Sequence, residues 1–126
     1  MKLYKDGDLG CLNMVDRLTY IRSLATKYNL KEAIYNSYGV KVYVYYIIQV
    51  SNSRILEWCE EQDHVRIATE LRTNRNNTLQ KEELCAYGFR PEYSMRNIER
   101  RLKNYNKQVK EYMVTVKKQE IEKDFK

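Results

Sequence analysis

Val40-Lys41-Val42-Tyr43-Val44-Tyr45-Tyr46-Ile47-Ile48-Gln49-Val50 is the stretch on which the fold turns. Val40, Val42, Val44, Tyr46, Ile48 and Val50 alternate with Lys41, Tyr43, Tyr45, Ile47 and Gln49, and β-branched and aromatic residues dominate. Period two with that composition predicts a strand. A buried helix is the competing reading of the same run. A lone strand leaves its backbone groups unpaired, so it needs a partner. Lys2 to Tyr4, Tyr112 to Lys117 and the same strand of a second subunit are the candidates, and the last makes a homodimer one expectation.

Outward from this run, helical spacing dominates the reading. On the N-terminal side, Tyr4 to Gly10 reads as a turn, rich in Gly and Asp. Cys11, Met14, Leu18, Ile21, Ala25 and Tyr28 then recur at three and four, which predicts a helix with Arg17, Arg22 and Lys27 off its apolar seam. Asn29 suits a left-handed helix end. Leu30 to Tyr38 reads as a second short helix, closed by Gly39.

On the C-terminal side, Ser51-Asn52-Ser53 offers an N-cap. Ile55, Leu56, Trp58, Cys59, Val65, Ile67, Ala68 and Leu71 support one or two helices through about Thr73. Asn74 to Asn77 reads as a loop. A further short helix runs from Thr78 to about Tyr87, closed by Gly88, and Pro91 lies in the next connection.

Ser94 to Lys117 carries the clearest helix. Met95, Ile98, Leu102, Tyr105, Val109, Tyr112 and Val116 form one apolar seam. Arg96, Arg100, Lys103, Lys107, Lys110 and Lys117 form a second line, turned away from it. The expected fold is therefore α+β and predominantly helical. It is a single domain over 1–126 with about five or six helices, one strand near 40–50, and a long basic C-terminal helix over about 94–120.

Composition bounds the function. A chain of 126 residues forms one domain large enough to bury a core without metal or disulfides. Cys11, Cys59 and Cys85 are odd in number and widely spaced, which argues against a disulfide framework. No apolar run approaches the ~18 residues of a membrane span, and Met1 to Gly10 lacks the apolar stretch of a secretory signal. The expected place is the cytoplasm, with no membrane partner. Net charge is +6, and nearly all of that excess lies after residue 89. Such segregation points to a partner, although lysine-rich solvated helices are common too.

Chemistry-bearing patterns are sparse. Glu57, Glu60, Glu61 and His64 would share a helix face, and Glu61 and His64 have the Glu-x-x-His spacing of carboxylate metal bundles. One histidine cannot complete such a site, so no metal is expected. On that helix Cys59 and His64 would lie about 140° apart and form no catalytic pair. No glycine-rich phosphate loop, Gly-x-Ser-x-Gly or Cys-x-x-Cys occurs. The expectation is a non-enzymatic protein without cofactor.

The best physical case is nucleic-acid binding by the basic helix, which would make the protein a small DNA- or RNA-binding regulator. Arg90, Arg96, Asn97, Arg100, Arg101, Lys103, Lys107 and Lys110 are the candidate contacts. Guanidinium and ammonium groups along one face suit phosphates, giving affinity without much base readout. Leu79 to Leu102 loosely fits helix-turn-helix, with Arg96, Asn97, Arg100 and Arg101 opening the reading helix. Tyr43 and Tyr45, on the strand face of Lys41, would suit base stacking. The rival expectation is a protein-binding inhibitor or adaptor of phage or mobile-element type, such as an antagonist of a host nuclease or defence complex. It would set the same helix, or Trp58 and the tyrosines, against an acidic protein surface. The apolar seam also allows a dimer through the C-terminal helix.

Overall fold

The described part of the decisive run, Val40–Ile47, is a strand, and it sits inside a sheet. The structure is a computed structural model that describes residues 7–47, 54–76 and 81–124. In it Val40–Ile47 forms β2, flanked by β1 (Leu30–Ser37) and β3 (Arg54–Cys59). β4 (Val65–Asn76) and β5 (Lys81–Glu92) complete an antiparallel meander in the order β1-β2-β3-β4-β5. Helix α1 (Met14–Lys27) precedes the sheet and α2 (Met95–Asp124) follows it, with a short 3-10 turn at Leu9–Cys11.

The predominantly helical expectation of five or six helices is thus overturned: the described residues hold two α-helices and five strands. Leu30 to Tyr38 is β1 and not a helix. Tyr38 and Gly39 both take positive φ, 51° and 81°, between the paired Ser37 and Val40. Two such residues in a row make the tight turn of a hairpin, so Gly39 turns the chain where it was expected to stop a helix. Ile55 to Leu71 is β3 and β4, and Lys81 to Tyr87 belongs to β5. Asn74 to Asn76 lies in β4 and not in a loop. The Ser51-Asn52-Ser53 cap, Ile48 to Val50, Asn77 and Lys2 to Tyr4 lie outside the described residues. Tyr112 to Lys117 is helical and pairs with no strand. Because β1 and β3 occupy both sides of β2, that strand has no edge to offer a second subunit.

Alternation sorts the sheet into two faces. Tyr43, Tyr45 and Ile47 of β2, Leu56 and Trp58 of β3, Val65, Ile67 and Leu71 of β4, and Leu84 of β5 are buried with the helices in one cluster. A bulge shifts the β2–β3 register between Tyr45 and Tyr46. It leaves Ile55 as the extra residue, so Ile55 and Leu56 both enter the core. The expected stacking tyrosines, Tyr43 and Tyr45, therefore face the core: Tyr45 is fully buried and donates its hydroxyl to Glu32 Oε2 (2.7 Å). Trp58 is buried as well, 5.4 Å from the Tyr43 ring. It is not available to a partner.

Both helices pack on that same face. Tyr20, Ile21, Leu24 and Ala25 anchor α1, and Asn13 caps it by accepting from Asp16 N (2.8 Å). The predicted end at Asn29 is present, with φ 56°. The Tyr20 hydroxyl donates to Met95 O (3.0 Å), tying α1 to the start of α2. β3 pairs with β4 only through Leu56–Ile67 and Glu57–Arg66. Beyond that point α2 supplies partners: the Tyr105 hydroxyl donates to Ala68 O and Arg101 Nη1 to Thr69 O. No described helix is long and apolar enough to cross a membrane.

Candidate nucleic-acid interface

The long helix has the two faces that its sequence predicts. Met95, Ile98, Leu102, Tyr105 and Val109 are buried, and Tyr112 and Met113 are partly so. The Ser94 hydroxyl accepts from Asn97 N (3.3 Å), as expected of a cap. Arg96, Arg100, Lys103, Lys107, Lys110 and Lys117 are all exposed. At 100° per residue the first five fall within an arc of about 80°, roughly 140° from the buried seam. From Arg96 to Lys117 the line runs about 32 Å at 1.5 Å per residue.

One acid threatens this line and is neutralised. Glu99 lies beside the basic arc, but Lys27 of α1 holds it at 2.5 Å and the Tyr28 hydroxyl donates to it at 3.1 Å. These two bonds keep its carboxyl below the usual range, the Lys27 contact first. Sequence reading on α2 alone missed this, because the partners come from another helix. Glu111 is the other acid on α2 whose side chain is described, and it is exposed beyond Lys110.

The remaining candidates divide. The Asn97 carbonyl oxygen accepts from Arg100 Nη2 (2.8 Å) and so orients that guanidinium. Arg101 is turned off the stripe: it is half-buried, bonded to Thr69 O, with Nε 3.7 Å from Glu92 Oε1. Arg90 is exposed but stands on β5, opposite Ile67. Two amides that sequence reading passed over join the stripe. Asn104 and Asn106 line, with Arg100, Lys103, Lys107 and Lys110, a shallow concavity of about 480 Å³. Their spacing among the lysines was the available signal, since i to i+4 neighbours share a helix face.

The helix-turn-helix reading does not survive. Lys81–Glu92 is a strand, so no first helix precedes α2. The acidic helix face is also absent. Glu57 sits on β3 paired with Arg54 (3.3 Å), and Glu60 to His64 form the connection to β4. His64 Nδ1 lies 2.9 Å from Asp63 Oδ1, and its ring packs 5.0 Å from Tyr93. Among the described residues no three His, Cys, Asp or Glu side chains gather closely enough to hold a metal ion. Burial, and next Glu57, push the Cys59 thiol up, the opposite of an activated thiolate.

An apolar cleft of about 450 Å³ opens beside the stripe. Leu102, Tyr105, Val109 and Met113 of α2 face Leu30 and Ile47 across it, with Lys110 at its border. No protein-family model, no curated protein and no solved structure matches this chain.

Proposed function

We propose that this protein is a small, non-enzymatic nucleic-acid-binding regulator whose contact surface is the exposed face of α2. The observation that carries this reading is the unbroken arc of Arg96, Arg100, Lys103, Lys107 and Lys110, with Glu99 neutralised from α1. The helix is anchored along its opposite side, so these cations are presented on a rigid support without ordering a flexible tail. Phosphates are the natural counterpart of such a line, and binding of this kind is insensitive to sequence.

The test is binding to a short duplex and a single strand at several salt concentrations. If all five cations meet phosphates, the log–log slope on duplex DNA is about −4.5. Replacing Arg100, Lys103 and Lys107 by glutamate removes three contacts and flattens the slope by about 2.7, with helix content unchanged. Absence of binding at low salt overturns the reading.

The cleft favours a second reading, an inhibitor or adaptor that binds an acidic protein. An apolar side chain of the partner would enter between Val109 and Ile47 while its carboxylates met Lys110 at the cleft border and Lys107 in the adjoining concavity. Such an interface would respond to salt less steeply than a line of phosphate contacts, because its apolar part is not screened.

A further inference from the structure

The two edges of the sheet are built differently, and one of them is open. β5 carries the devices that block strand addition. Gly88 takes φ 63° between the paired Tyr87 and Phe89, a backbone conformation that departs from the extended strand. Pro91 removes a donor. The end of the strand is covered by the start of the chain, with Leu9 N donating to Tyr93 O (2.8 Å) and Met95 N to Gly7 O (3.0 Å).

β1 has none of these. Its eight residues pair with β2 without a register shift, and it contains no proline, glycine or bulge. Among the described residues no strand lies on its far side. Four of the large apolar or aromatic side chains most exposed in the protein gather at this corner: Ile34 (49%), Tyr35 (42%), Tyr38 (104%) and Val40 (41%).

We infer that β1 is a homodimerisation edge, pairing antiparallel with β1 of a second copy to make one continuous ten-stranded sheet. The strand is self-complementary about Ile34. In that register Ile34 meets Ile34 of the second copy, and Ala33 meets Tyr35 twice. Glu32 falls opposite Asn36 and Lys31 opposite Ser37, so no like charges face one another. β1 itself is neutral, whereas the chain carries +6, mostly on its C-terminal part. A second copy therefore approaches this edge without the repulsion it would meet at α2. The inference is independent of the nucleic-acid reading, since it uses none of the α2 cations.

Sedimentation of the full chain at physiological salt, from low to high micromolar concentration, tests it. The expected result is a monomer–dimer equilibrium whose dissociation constant rises at least tenfold in Ile34→Lys and in Tyr35→Lys. Both residues are exposed, and unchanged melting and circular dichroism at low concentration confirm that the variants fold. The register is read by oxidation in a Cys11→Ser background, which removes an exposed thiol. Ile34→Cys then crosslinks to a dimer and Asn36→Cys does not. A monomer at every concentration, or a dimer indifferent to both lysine substitutions, overturns the inference.

Discussion

Replacing Arg17 by methionine removes a staple that no neighbour can replace. Its guanidinium donates to four backbone carbonyls in two separate segments. Nε reaches Leu9 O (3.2 Å) and Nη2 reaches Gly10 O (3.1 Å). Nη1 reaches Glu61 O (3.0 Å) and Gln62 O (3.2 Å). One side chain of α1 thus ties the entry turn to the β3–β4 connection, where Glu61 is held at φ 78°. Methionine keeps the apolar stem and deletes all four bonds. Most of these bonds are exposed, so about 0.5–1 kcal/mol each is appropriate, or roughly 2–4 kcal/mol together. For a chain of this length that lowers Tm by roughly 10 °C. Thermal unfolding followed by circular dichroism measures the loss. Trp58 emission gives a local readout, because its Nε1 donates to the same Gln62 O (2.8 Å). Arg17→Lys recovers only part of the stability, since one ammonium cannot span both segments. A variant melting within about 2 °C of the parent would refute the staple.

Two further outcomes follow from packing and from charge. Leu102 is 2% exposed, so Leu102→Ala costs about 2–5 kcal/mol in urea unfolding; an unchanged midpoint would mean that α2 does not pack as described. Glu32 and Glu99 both have carboxyls held below the ordinary value of 4.5, by Arg22 and then Tyr45 in one case and by Lys27 and then Tyr28 in the other. A depressed carboxylate stabilises the fold above the unfolded pKa and loses that contribution as pH falls through the folded value. Stability is therefore expected to fall as pH drops below about 4.5, less steeply in Glu32→Gln and Glu99→Gln, and equal acid profiles in parent and variants would contradict this.

How much of the fold could be read beforehand depends on where each element finds its hydrogen bonds. α1 and α2 were legible because a helix satisfies its backbone within the segment, and its buried side is written at three- and four-residue spacing. The α1 seam was nonetheless placed one position off in part. Tyr20 and Leu24 are buried, while Met14 and Cys11 are exposed, because α2 lies along that side. Four strands were misread. In β3 and β4 the core residues Ile55, Leu56, Val65, Ile67 and Leu71 include a bulge pair and intervals that also fit a helix. In β1 Leu30, Ala33, Ile34 and Ser37 have the spacing of one helix face, and because an edge strand keeps Ile34 and Tyr35 exposed no period-two pattern marks it. The stripe of cations was legible for the same reason as α2. The diversion of Arg101 to Thr69, and the neutralisation of Glu99 by Lys27, were not, since these partners lie 32 and 72 positions away.

By itself the sequence determined a basic helix with opposed apolar and cationic faces and a first helix ending at Asn29, and it favoured a strand over a buried helix from Val40. Each of these follows from side chains whose spacing along the chain is also their spacing in space. Only the tertiary structure decided that β2 is an interior strand, that its tyrosines face the core, and that four more strands surround the remaining apolar residues. A strand borrows its hydrogen bonds from another part of the chain. Its existence, register and buried face are therefore properties of the assembled sheet and not of the segment.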